Sequence, residues 1–144
     1  MNTQYGKITA ISGPVIDCEF PAGHLPRIKE ALRVNVRGET RVMEVAQHIG
    51  GDRVRCVLLG ASENLSRGMT VEADGKGIRV PVGDSTLGRM FNVLGQPIDG
   101  QEPLPETTET WEIHRKAPGF ADQQPAAEVL ETGIKVIDLL EPYP

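Results

Sequence analysis

A chain of 144 residues, 24% charged and 39% hydrophobic, is long enough for one ordinary domain or for a small domain joined to part of a second, and its composition is that of a folded protein. Its formal net charge of −5 argues against nucleic acid as a partner, because sequence-independent affinity for a phosphate backbone is carried by clustered Lys and Arg. The start, Met1 to Lys7, has no apolar signal core and no later run approaches a membrane span, so a cytosolic or cytosol-facing place without direct membrane insertion is expected.

Residues 6 to about 73 alternate on a period of two, in short runs divided by turn residues. Lys7 to Ile11 is one such run and ends at Ser12-Gly13-Pro14, where Pro14 fixes its own φ. Val15 to Phe20 places Ile16, Cys18 and Phe20 on one face and Asp17 and Glu19 on the other. After Pro21-Ala22-Gly23, the stretch Leu25 to Ala31 reads as a loop or a single helical turn. Leu32 to Val36 resumes the alternation before a hairpin turn at Arg37-Gly38-Glu39. Thr40 to Ala46 and Arg53 to Leu59 flank a Gly50-Gly51-Asp52 turn. Five or six short strands with one apolar face each predict a mainly β fold built on a small closed antiparallel β-barrel, since closure removes exposed edges. The predicted boundary leaves 1–74 as the barrel domain and 75–144 as a second, incomplete unit.

From Gly75 the rhythm changes, and Gly75-Lys76-Gly77 reads as a solvent turn between segments. Ile78 to Gly83 is a short extended piece in which Pro81 cannot donate to a ladder, so it belongs at a sheet edge or in a connection. Asp84-Ser85-Thr86 offers N-caps, and Leu87, Met90, Phe91 and Leu94 at i, i+3, i+4 and i+7 predict a helix that ends at Gly95 and Pro97. Residues 95 to 127, with Pro97, Pro103, Pro105, Pro118 and Pro125, predict a long loop crossing a surface. The last element is a predicted helix capped by Thr132, with Leu130, Ile134, Val136, Ile137 and Leu140 apolar over a wide arc. It needs packing partners on more than one side, which the preceding helix cannot supply. The chain is therefore expected to stop short of a missing central sheet, just after Pro144, and 75–144 to have little core of its own.

The chemistry-bearing residues give no site. Cys18 and Cys56 lie in strand-like runs without metal-type spacing and read as small buried residues, not a disulfide. His24, His48 and His114 are isolated from one another and have no second His or Cys at i+4. The glycine-rich stretches match neither G-x-x-x-x-G-K-S/T nor G-x-G-x-x-G opening a helix. Glu102, Glu106, Glu109 and Glu112 fall in the Pro-rich loop and read as solvation, and no triad spacing or nucleophile elbow is present. Trp111 beside His114-Arg115-Lys116 reads as a structural anchor. No catalytic, cofactor-binding or metal residue is assigned.

Three blocks carry a family resemblance. They are Gly6-Lys7-Ile8 through Asp17 with Glu44-Val45-Ala46-Gln47-His48; Arg67-Gly68-Met69 through Val80-Pro81-Val82-Gly83-Asp84-Ser85-Thr86-Leu87-Gly88-Arg89-Met90-Phe91 to Asp99; and Ile113 to Pro118 followed by Glu131 to Leu140 and Pro142-Tyr143. Together they resemble the N-terminal portion of the F-type ATP synthase beta subunit, up to the point before its phosphate-binding loop. The resemblance implies a six-stranded barrel of the crown that holds an alternating alpha–beta hexamer together. The opening helices and loop of an α/β nucleotide-binding domain would follow. Implied partners are the alpha subunits and, in the full-length protein, the central stalk. ATP or ADP with Mg²⁺ would be handled by residues beyond Pro144, on a protein peripheral to the cytoplasmic face of a membrane and coupled to proton or sodium transport. Outward charges such as Arg33, Arg41 and Arg53 would then meet neighbouring subunits. The rival expectation is a stand-alone barrel that binds a protein or oligosaccharide partner, and a third is a flagellar or secretion-type ATPase relative.

Overall fold

The computed structural model describes residues 3–122 and 129–143. Six antiparallel strands, β1 (Gln4–Ser12), β2 (Val15–Glu19), β3 (Glu30–Val36), β4 (Glu39–Gly50), β5 (Arg53–Leu58) and β6 (Thr70–Gly77), close into a barrel in the order β1-β2-β5-β4-β3-β6. The period-two pattern decides which residues turn inward. Ile16 and Cys18 of β2, Leu32 and Val34 of β3, Met43 and Val45 of β4, Val54 and Cys56 of β5, and Val71 of β6 are all buried, while their neighbours face out. Phe20 joins this core just past β2, as its alternation predicts.

The tight connections follow from backbone angles that few residues tolerate. Arg37 and Gly38, at φ 55° and 90°, form a two-residue link between β3 and β4, and the Asn35 side chain accepts the Gly38 N–H at 2.9 Å. Two positive angles in succession suit the right-handed twist of the strands that the turn joins. The 25–29 stretch is a loop with one turn and no helix, and β3 begins right after it at Glu30.

The sixth strand corrects one expectation. Gly75-Lys76-Gly77 is not a solvent turn but the end of β6, where the pairing with β3 slips between Glu30–Gly77 and Leu32–Ala73. A buried carboxylate organises that bulge: Glu30 accepts the Gly75 N–H and the Arg27 N–H, both at 3.0 Å. Gly75 takes the left-handed angle that the bulge requires, φ 77°.

Beyond the barrel, β7 (Arg79–Pro81) pairs with β8 (Thr110–Glu112) as a two-stranded antiparallel ribbon. Pro81 occupies an edge as expected. Its missing N–H costs nothing, because the flanking bonds run from Val82 N–H to Glu109 and from Ile113 N–H to the Ile78 carbonyl. The strand β8 was not foreseen within the Pro-rich stretch. It is three residues long, too short for a periodic signal, and its partner lies thirty positions away. Pro125 lies outside the described residues.

The helix predicted over 87 to 94 is absent. Asp84–Thr86 make one short 3-10 turn, Leu87 is extended, and Gly88 has φ 68°. Asn92 then closes a compact turn: its side-chain oxygen accepts the Leu94 and Gln96 N–H groups, and its own N–H donates to the Gln96 carbonyl. A short polar side chain that bonds nearby amides competes with the helix ladder, and here it prevails over the apolar spacing. Gly95, at φ 74°, lies so close to β7 that a Cβ there would stand 2.5 Å from Pro81 Cδ.

The final helix α1 (Lys135–Leu140) is shorter than predicted and is capped by Ile134 without a side-chain bond. Thr132 sits two residues before that cap and serves differently. Its hydroxyl accepts the Ile134 N–H at 3.1 Å and donates to Asp138 at 2.6 Å. Leu130 is outside the helix, bridged to Tyr143.

Candidate functional site

The burial pattern divides the molecule sharply. Among the described residues none after Ile78 is buried, whereas the barrel holds a contiguous apolar core. Large apolar side chains of the 87–143 segment lie open instead: Leu87 is 76% exposed, Phe120 93% and Leu140 78%, with Met90, Val93, Ile98, Ile134, Val136 and Leu139 similarly placed. The expectation of a segment with little core of its own is met. Singly exposed apolar residues are normal on a protein surface; here many fall in one stretch of the sequence.

Polar clamps hold that segment in shape. Arg89 and Asp99, both largely shielded, form a two-pronged pair at 2.6 and 3.2 Å, and Asp99 also accepts the Met90 and Gln101 N–H groups. The Arg89 guanidinium and those amides hold the Asp99 carboxyl well below the usual carboxylate range. Asp138 accepts from the Thr132 hydroxyl, the Thr132 N–H and the Gly133 N–H, which likewise lower its pKa. Each acid orders the turn before it. Neither pair is visible in local sequence, since Arg89 and Asp99 sit in no regular element and Thr132 lies outside the helix that carries Asp138.

Some of the barrel's surface charges pair with one another. Arg33 pairs with Asp74 at 2.7 Å, and Arg41 bonds Glu39 and the Ala61 carbonyl, pinning the 60–63 loop to β4. These two are therefore engaged within the chain, which weakens the idea that they wait for a neighbouring subunit. Arg53, opposite Glu19 in the β2–β5 register, forms no ion pair within 4.0 Å among the described residues. Arg55, two positions on, makes a bidentate pair with Asp17 at 2.8 and 2.9 Å and lowers the pKa of that carboxyl. No local signal announces this pair, which depends on the β2–β5 register.

The other singled-out residues stay apart. His24 and His48 bond the Ala22 and Pro26 carbonyls, while His114 reaches Glu44 of β4 at 2.8 Å and so ties the segment after β8 to the barrel. Trp111 is half exposed, with its indole N–H on Glu109 and the Arg115 guanidinium 3.5 Å from its ring centroid. It anchors local structure through these contacts, not through burial. Glu112 lies 3.7 Å from Arg79. Cys18 and Cys56 are buried free thiols. Among the described residues no three His, Cys, Asp or Glu side chains converge on a metal site.

The described residues thus form a closed antiparallel barrel with its core complete, followed by a clamped segment that leaves its apolar side chains open. Residues 8–75 match the family model for the ATP synthase alpha/beta family, beta-barrel domain. The matched stretch, just under half of the chain, takes in β2 to β5 entire and most of β1 and β6. Over those residues the barrel is similar to that domain, a likeness that does not separate alpha from beta subunits. Gly75-Lys76 does not offer a phosphate cradle. A phosphate cradle needs free backbone amides in a glycine-rich loop, and at Gly75-Lys76 both amides are taken, by Glu30 and Asp74.

Proposed function

We propose that this chain is the N-terminal part of the catalytic beta subunit of an F-type ATP synthase, and that it serves assembly of the hexamer without phosphoryl chemistry of its own. The observation that carries the reading is the match of residues 8–75 to the barrel domain of that family, on a chain whose six strands close. The choice of beta over alpha is supported by Ala46-Gln47-His48, by Ile113-His114-Arg115 and by Ile134 to Leu140, which resemble beta more closely. In this proposal 1–74 is the crown barrel, alternating with alpha barrels around the ring, and 75–144 opens the nucleotide-binding domain. The open apolar face over 87–143 packs against the remainder of that domain. ATP or ADP and Mg²⁺ are bound by the parent's remaining residues, with the central stalk as a further partner. The parent is peripheral to the cytoplasmic face of a membrane and coupled to proton or sodium movement.

The test is assembly. Mixed with alpha subunits, this chain is expected to give mixed oligomers by native mass spectrometry, and titration with MgATP by calorimetry to give no stoichiometric heat. Tight one-to-one MgATP binding by this chain alone would overturn the non-catalytic reading. Absence of any complex with alpha, from a barrel shown to be folded, would overturn the assembly role.

A further inference from the structure

Three sulfur-bearing side chains share the inner face of the barrel. Cys18 of β2, Met43 of β4 and Cys56 of β5 are each fully buried, and Cys18 Sγ lies 3.9 Å from Met43 Sδ. The register brings Cys56 to both. Cys56 stands opposite Ile16 while Cys18 stands opposite Val54, so the two cysteines are diagonal neighbours across β2 and β5. On its other side Cys56 faces Val45, and Met43 is the diagonal neighbour across β4 and β5. Diagonal pairs on one face of a sheet are within side-chain reach.

We infer that this trio is a binding site for a soft monovalent cation of the Cu(I) class. Donors about 2.3 Å from a shared ion stand about 3.8 to 4.0 Å from one another in trigonal or tetrahedral arrangement, which is the separation already present between Cys18 and Met43. Thiolate and thioether together select Cu(I) over harder ions. Binding replaces two S–H bonds by two S–Cu bonds: Cu⁺ plus two cysteine thiols gives the bis-thiolate copper complex and two protons released to solvent, with Met43 as a neutral third donor and no change of oxidation state. Affinity therefore rises with pH.

The experiment uses the full chain, reduced and anaerobic, refolded with Cu(I) supplied from a competing chelator. One Cu(I) per chain is expected by native mass spectrometry, with thiolate-to-copper absorption and a raised thermal midpoint that shows the ion belongs to the folded barrel. Met43→Leu conserves volume and removes one donor, so it keeps the fold and should weaken retention about tenfold or more. Cys18→Ser and Cys56→Ser should each weaken it at least a hundredfold. Copper held only by unfolded chain, no copper held, or Met43→Leu and wild type binding alike would each overturn the site and leave the sulfurs as ordinary core packing.

Discussion

Gly6 to Ala is the most searching test of the barrel's packing. Gly6 lies in β1 opposite Val71 of β6 and outside the left-handed region, so the substitution is a question of space alone. An added Cβ would stand 2.7 Å from the Glu19 carbonyl oxygen and 2.8 and 2.9 Å from two carbons of the Phe20 ring. The ring covers the glycine and is itself only 3% exposed, an arrangement in which an aromatic side chain makes up for a strand glycine. The backbone has little freedom to retreat, because the Phe20 N–H is bonded to the Asp52 carbonyl at 2.9 Å. Relief must come from the ring moving outward together with a small shift of the Glu19 carbonyl. Overpacking of this kind costs about 1–3 kcal/mol, and part of the roughly 1.5–3 kcal/mol gained by burying a large apolar side chain is lost with it, so a total near 2–4 kcal/mol is expected. Urea unfolding followed by far-UV circular dichroism measures it, with an unchanged m-value showing that the same unit unfolds. If the ring is the obstacle, the alanine penalty shrinks by about 1 kcal/mol or more in a Phe20→Ala background. A loss below about 0.5 kcal/mol, or strict additivity with Phe20→Ala, would refute the reasoning.

Glu30→Ala strips the bulge of its acceptor and removes the partly shielded bonds from the Gly75 and Arg27 amides, at about 0.5–1.5 kcal/mol for each; denaturant unfolding should register the loss and hydrogen exchange should quicken at those two amides first. Asp17 is held below its ordinary pKa by Arg55, so the folded state binds fewer protons than the unfolded state. Its contribution is complete above pH about 4 and disappears as pH falls through the lowered folded value. Asp17→Asn should therefore lower the urea midpoint at pH 7 and converge with wild type in strong acid, whereas a constant offset across the range would contradict the linkage. Leu139→Lys with Leu140→Lys alters only open apolar surface, so the barrel's stability should stay within about 0.5 kcal/mol while self-association at high concentration, read by sedimentation velocity, decreases.

The strands were legible because alternation is a local property: Ile16, Cys18 and Phe20 against Asp17 and Glu19 announces one buried face whichever strand lies alongside. Turn chemistry at Arg37-Gly38 and Gly50-Gly51-Asp52 was readable for the same reason, since the angles belong to the residues themselves. The misreadings share a different cause. Apolar spacing at 87 to 94 suggested a helix, yet Gly88 and the Asn92 side chain settle the backbone by bonds that spacing does not encode. Thr132 looked like a cap and instead serves Asp138, six residues ahead.

Local order in the amino acids thus determined that a barrel of short strands would form, which side chains would fill it, and that the following segment would carry more apolar surface than it can hide. Only the tertiary structure decided the ring order β1-β2-β5-β4-β3-β6, the bulge around Glu30, and the pairings of Asp17 with Arg55 and of Arg89 with Asp99. The physical reason is that periodicity records how each residue relates to its own strand. Register and ion pairing are settled between strands, where one residue of slip would turn every side chain to the opposite face.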